Sequence, residues 1–166
     1  MTHAAALVPE FDDEMAITRR MLERVPSAQG AWRPHPKSFP LGHLAQLVAW
    51  LPGWVTSTLT QPSLDLAGWP GYSYEATETL LATFDDNVRD ARAALLVTDD
   101  ERFASTWSLK RGDQVLFTQR RDVLVRNHVS HIIHHRGQLS VYLRLLDVPV
   151  PSIYGPTADE RAPLVM

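Results

Sequence analysis

Four stretches of this chain repeat apolar side chains at helical spacing, and clusters of proline separate them. The first covers residues 9–24. Phe11, Met15, Thr18, Met21, Leu22 and Val25 share one face. Glu10, Asp12 and Asp13 suit the positive end of the helix dipole, and Arg19, Arg20 and Arg24 suit the negative end. The second covers residues 40–59, with a cap near Ser38 and a kink or split expected at Pro52-Gly53. The third is expected from Ser73 to about residue 96, and the fourth over residues 119–146, ended by Pro149 and Pro151. No strong strand signal competes with them. Gly112-Asp113 marks a turn, and short extended pieces around Trp107 and residues 115–117 are the only sheet candidates. Four long amphipathic rods predict an all-α protein, a four-helix bundle, as a single domain over residues 1–166 with residues 151–166 laid over its surface.

Composition narrows the chemistry. The chain has no cysteine, which removes disulfides, thiolate ligands and a cysteine nucleophile, and fits a reducing cytoplasm. A net charge of −3 is a poor footprint for nucleic acid. The N-terminus lacks the basic start and apolar run of a signal peptide. The most apolar stretch, residues 44–55, is broken by Gln46, Pro52 and Gly53, so no membrane span is expected. Without a paired base, Ser130 does not read as a hydrolytic nucleophile.

The chemistry concentrates in residues 127–139, where His128, His131, His134 and His135 fall within eight positions. On a helix, His131 and His135 lie about 40° apart and one turn apart, so their rings can converge on one ion. The stripe Leu124, His128, His131, His135, Leu139, Tyr142 and Leu146 puts them on the apolar face. Inward imidazoles need partners, and a cation meets that need. Imidazole donors suit Zn²⁺, Ni²⁺ or Fe²⁺ better than Mg²⁺ or Ca²⁺. Hydrogen-bonded core histidines or a solvated patch are the competing reading, and a third ligand from another helix decides between them. Asp85 and Asp86 could bring a carboxylate. Arg136 is expected to pair with a carboxylate or with carbonyls, and Gly137 to let a neighbouring backbone approach. Arg120, Arg121 and Arg126 read as a solvated basic face. The five tryptophans read mainly as core or interface anchors, with Trp50 and Trp54 also candidates for stacking on a substrate near His43.

The run from Asn127 to Arg144, written N-H-x-x-H-x-x-H-H-R-G-Q-L-x-x-Y-L-R, closely resembles the last-helix signature of the DinB superfamily, also called DinB/YfiT-like. Trp32-Arg33-Pro34-His35-Pro36-Lys37-Ser38 resembles the loop before the second helix of one subfamily, and residues 148–160 resemble its C-terminal tail. The resemblance covers nearly the whole chain. It implies up-down-down-up topology, a homodimer, and a divalent metal, Zn or Ni, held by three histidines with open positions. Some relatives are thiol-dependent transferases or isomerases, so a transferase or hydrolase acting on a small molecule is one expectation. A non-catalytic dimeric bundle with a degenerate site, serving stress response or small-molecule binding, is the other. By the motif, His131 and His135 match the last-helix ligands. The usual second-helix ligand falls on Leu47, within Leu44-Ala45-Gln46-Leu47-Val48-Ala49. His43, one turn earlier, is the shifted candidate, and His128 is its alternative. In the catalytic reading, His134 or His128 would move protons beside the metal.

Overall fold

The computed structural model describes residues 1–69, 71–74 and 76–161. Among the described residues there are five α-helices and three strands: α1 (Val8–Leu22), α2 (Leu41–Thr60), β1 (Ser63–Asp65), α3 (Thr77–Val97), the short α4 (Asp100–Ala104), β2 (Thr106–Arg111), β3 (Gln114–Arg120) and α5 (Arg121–Leu145). The four long helices enclose one core. α2 packs on α3 and α5, and α1 packs on the same two helices from the other side. Phe11, Met21, Leu44, Leu51, Phe84, Leu95, Ile132 and Leu139 fill the space between them. No helix among the described residues is long and apolar enough to cross a membrane.

The all-α expectation is wrong, because the extended pieces around residues 107 and 117 form a sheet. β2 and β3 pair antiparallel across a two-residue turn, with Arg111 opposite Gln114, and β1 joins β2 in parallel. Gly112 sits in the turn at φ +58°, the left-handed backbone that primed hairpin turns require. β2 alternates strictly: Trp107 and Leu109 are buried against Leu124, while Thr106, Ser108 and Lys110 turn outward. The pattern is visible in the sequence, but it spans only six residues, half a helical window.

The helix ends differ from expectation for local reasons. α2 begins at Leu41, not at a serine cap. The Leu41 and Gly42 amides donate to the carbonyls of Trp32 and Gly30, so the preceding loop takes the place of a side-chain cap. α2 also runs unbroken through Pro52-Gly53. α3 begins at Thr77, four residues later than expected. Ser27 Oγ accepts from the Thr77 amide at 3.0 Å, so a distant segment supplies the cap. α5 ends before its prolines: Asp147 adopts φ +57°, and the amides of Asp147 and Val148 donate to the carbonyls of Arg144 and Leu143 in a Schellman arrangement. The tail expected on the surface is partly built in, with Pro151 and Ser152 buried, and its last five positions lie outside the described residues.

Candidate functional site

The four histidines of α5 form a seam along the helix, with His128 and His135 buried and His131 and His134 exposed. Of these, His128 meets α2, at Thr58 and Trp54. The inward stripe therefore runs Leu124, His128, Ile132, His135, Leu139 and Leu143, and His131 borders it, a correction to the stripe read from the sequence. The two Nε2 atoms of His131 and His135 face each other at 2.8 Å. That is a hydrogen-bond distance, one ring donating to the other; an ion shared at about 2.1 Å from each nitrogen would hold them about 3.0–3.4 Å apart and take the place of that proton.

Gln138 decides which nitrogen His135 offers. Its Oε1 lies 2.7 Å from His135 Nδ1 and, as a carbonyl, can only accept, so Nδ1 carries the proton. In the neutral ring Nε2 is then bare, the form that ligates metal. Burial pushes the His135 pKa down, ahead of an opposing contribution from Gln138. His131 keeps an exposed edge, yet loss of hydration is still the largest cause of its lowered pKa, followed by repulsion from His135 and His134. Both rings are therefore held toward the neutral form that a metal needs.

His43 is the residue the structure does not bring fully into place. Its ring is stacked between Phe39 at 4.2 Å and Tyr72 at 3.9 Å, centroid to centroid. Burial, then repulsion from His135, lowers its pKa, so it lies within electrostatic reach of the pair. Among the described residues, however, no three His, Asp or Glu side chains converge as a metal-holding group. His128 is engaged elsewhere: its Nε2 lies 3.0 Å from Thr58 Oγ1, and its ring meets Trp54 edge-on at 5.8 Å. Burial drives its pKa down to about 4. His134 is exposed and packs edge-on against His135 at 5.0 Å.

Other expectations resolve plainly. Asp85 pairs with Arg19 and Asp86 with Arg89 on the surface, so neither serves the histidines. Arg136, 1% exposed, donates to Glu14 O, Thr18 Oγ1 and Tyr154 OH and pairs with the Glu14 carboxylate, as expected of a structural arginine. Gly137 does not admit a neighbour, since a Cβ there would meet open space. Arg121 is buried, not solvated. It donates to Thr58 O and Gln61 O at the end of α2. The sequence reading missed Gln138, although its spacing from His135 is helical. It read Trp69 only as a core or interface anchor and missed Tyr72, which lies in an irregular segment with no periodicity to mark it.

Similarity to known proteins follows the same lines. The family model described as DinB family matches residues 41–163. This chain belongs to the DinB family. No curated protein matches it. A DinB-like protein of Bacillus subtilis shares the fold at a TM-score of 0.69 and 16% identity, over 89% of this chain and 97% of that one. A DinB-like protein of Bacillus cereus does so at 0.69 and 18%, over 89% and 95%. This DinB chain carries Leu47, half-buried against the core, at the position where the family resemblance places the second-helix ligand.

Proposed function

We propose that this DinB protein binds a divalent transition metal, Zn²⁺ or Ni²⁺, through His131 and His135, with His43 as the third ligand, and acts on a small molecule there. The observation that carries the reading is the pair of Nε2 atoms 2.8 Å apart, one of them stripped of its proton by the Gln138 contact. The donor set suits a borderline cation at two positions. The third needs the His43 ring to leave its stack between Phe39 and Tyr72. A metal so held would act as a Lewis acid and lower the pKa of a bound water or thiol. The chain's own part is to keep three imidazoles neutral and to orient His135 from behind. His134, exposed beside His135, is the group placed to exchange protons with solvent.

Leu47 and the lack of a converged triad among the described residues favour a second reading, a binding protein with a vestigial site. Tag-free protein reconstituted with Zn²⁺ or Ni²⁺ separates the two. One metal per chain is expected, lost in His131→Ala/His135→Ala and bound about tenfold more weakly in His43→Ala. If His43→Ala binds as tightly as wild type, the third ligand is wrong. No bound metal after reconstitution removes the metal reading altogether.

A further inference from the structure

Three of the five tryptophans, Trp50, Trp54 and Trp69, gather around one open pocket of about 350 Å³ between α2 and α3, and neither His131 nor His135 is in its lining. None of the three is fully buried, although each packs against another: Trp50 on Trp69 at 5.1 Å and Trp54 on Trp69 at 5.8 Å, both edge-on. Large rings that hold one another at right angles while leaving space between them form a wall, not a closed core. The volume falls in the range of small-molecule sites.

The rest of the lining sets the ligand's chemistry. No charged side chain is among the described lining residues, so an ion entering the pocket would lose water without a counter-charge. Gly53 lies in the lining with Asn87 against it: a Cβ there would come 2.9 Å from Asn87 Oδ1. Asn87 Nδ2 donates to Ala49 O at 3.0 Å, which fixes the amide with Oδ1 toward Gly53. That oxygen accepts no hydrogen bond among the described residues, and Asn87 is half-buried in the pocket lining. Thr83 Oγ1 spends its proton on Thr79 O at 2.9 Å, so it too faces a newcomer as an acceptor.

We infer that this pocket is a binding site for an uncharged, flat aromatic molecule that carries one hydrogen-bond donor. The tryptophan rings take its faces and edges, and Asn87 Oδ1 takes its donor. The site does not depend on a metal, and Trp54 links it to the histidine seam through its edge contact with His128 at 5.8 Å.

The test is calorimetric titration of metal-free protein with 2-naphthol, 2-methoxynaphthalene and 2-naphthoate. Saturable binding of 2-naphthol with a Kd of about 1 mM or tighter is expected for a ligand of this size. Capping its donor as the methoxy compound, or giving it charge as the carboxylate, should weaken binding about tenfold. Trp54→Leu should do the same, and so should Thr83→Phe, which fills the pocket without removing a tryptophan. Circular dichroism melts confirm that each variant folds. His131→Ala/His135→Ala should bind 2-naphthol like wild type, which keeps this outcome separate from that of the metal reading. Absence of saturable 2-naphthol binding overturns the inference, as does binding untouched by both pocket variants. A dimer that Trp54→Leu breaks, with no heat from 2-naphthol, would assign this face to a second copy of the chain and overturn it as well.

Discussion

His128 shows how a single buried ring couples this fold to pH. Its pKa is near 4 in the folded protein and near 6.5 when the chain is unfolded. Between those values the unfolded state binds the extra proton, so acid favours unfolding. The stability contributed by the neutral ring is whole above about pH 6.5, falls as the pH drops through that window, and is gone below about pH 4. The full span amounts to roughly 3 kcal/mol. Urea unfolding at pH 7 and pH 5 should differ by about 2 kcal/mol more in the native chain than in His128→Gln. Part of the slope should survive in the variant, because His43, His131 and His135 are lowered in the same direction. Equal slopes in both proteins would show that His128 takes up its proton alike in the folded and the unfolded chain. The same ring accounts for the Thr58 hydroxyl, 0% exposed and otherwise short of a partner.

At the scale of elements, the end of α2 depends on two arginines from elsewhere in the chain. α2 closes at Thr60 with its last carbonyls unpaired inside the helix. Arg102 donates to Leu59 O and Thr60 O at 3.0 Å each, and Arg121 to Thr58 O and Gln61 O. Positive groups at a helix C-terminus also meet its dipole favourably. Arg121 is 3% exposed, and burial together with repulsion from Arg102 lowers its pKa. Its guanidinium also holds Ser105 Oγ at 3.0 Å, which joins the start of α5 to the turn after α4. Arg121→Ala would strand the buried Thr58 carbonyl and remove one donor from the more exposed Gln61 carbonyl. It should cost about 3 kcal/mol in equilibrium unfolding, against about 1 kcal/mol for the more exposed Arg102→Ala. Equal small losses in both would mean that water serves this helix end.

The whole molecule is closed by its C-terminal tail. Tyr154 OH accepts from Arg136 at 2.7 Å and donates to Glu14 Oε1 at 2.7 Å, so one phenol joins the tail, α5 and α1. Asp159 pairs with Arg144 and accepts from the Val150 amide at 2.9 Å, and Glu160 pairs with Arg20. Tyr154→Phe should leave the Arg136 guanidinium, 1% exposed, one acceptor short. The expected cost is about 1–2 kcal/mol, a fall in Tm of about 2–8 °C. An unchanged Tm would show that the tail rests on the body without bracing it.

Periodicity carried the four long helices, the approach of His131 to His135, and the pairing role of Arg136, because each depends on spacing along one helix or on burial of one face. The hairpin was half legible: Trp107 and Leu109 alternate with polar neighbours, but six residues of alternation read as irregular until β3 pairs with them. β1 had no signal at all, since its three residues become a strand only by lying beside β2. Likewise only tertiary packing set the cap from Ser27 on Thr77, the burial of Arg121 and the stacking of His43 between Phe39 and Tyr72. Local sequence specifies which rods form and which side chains share a face, through backbone geometry alone. Which distant groups those faces meet is decided by the packing of the rods and by the segments that bridge them, and the candidate site lies where those contacts are made.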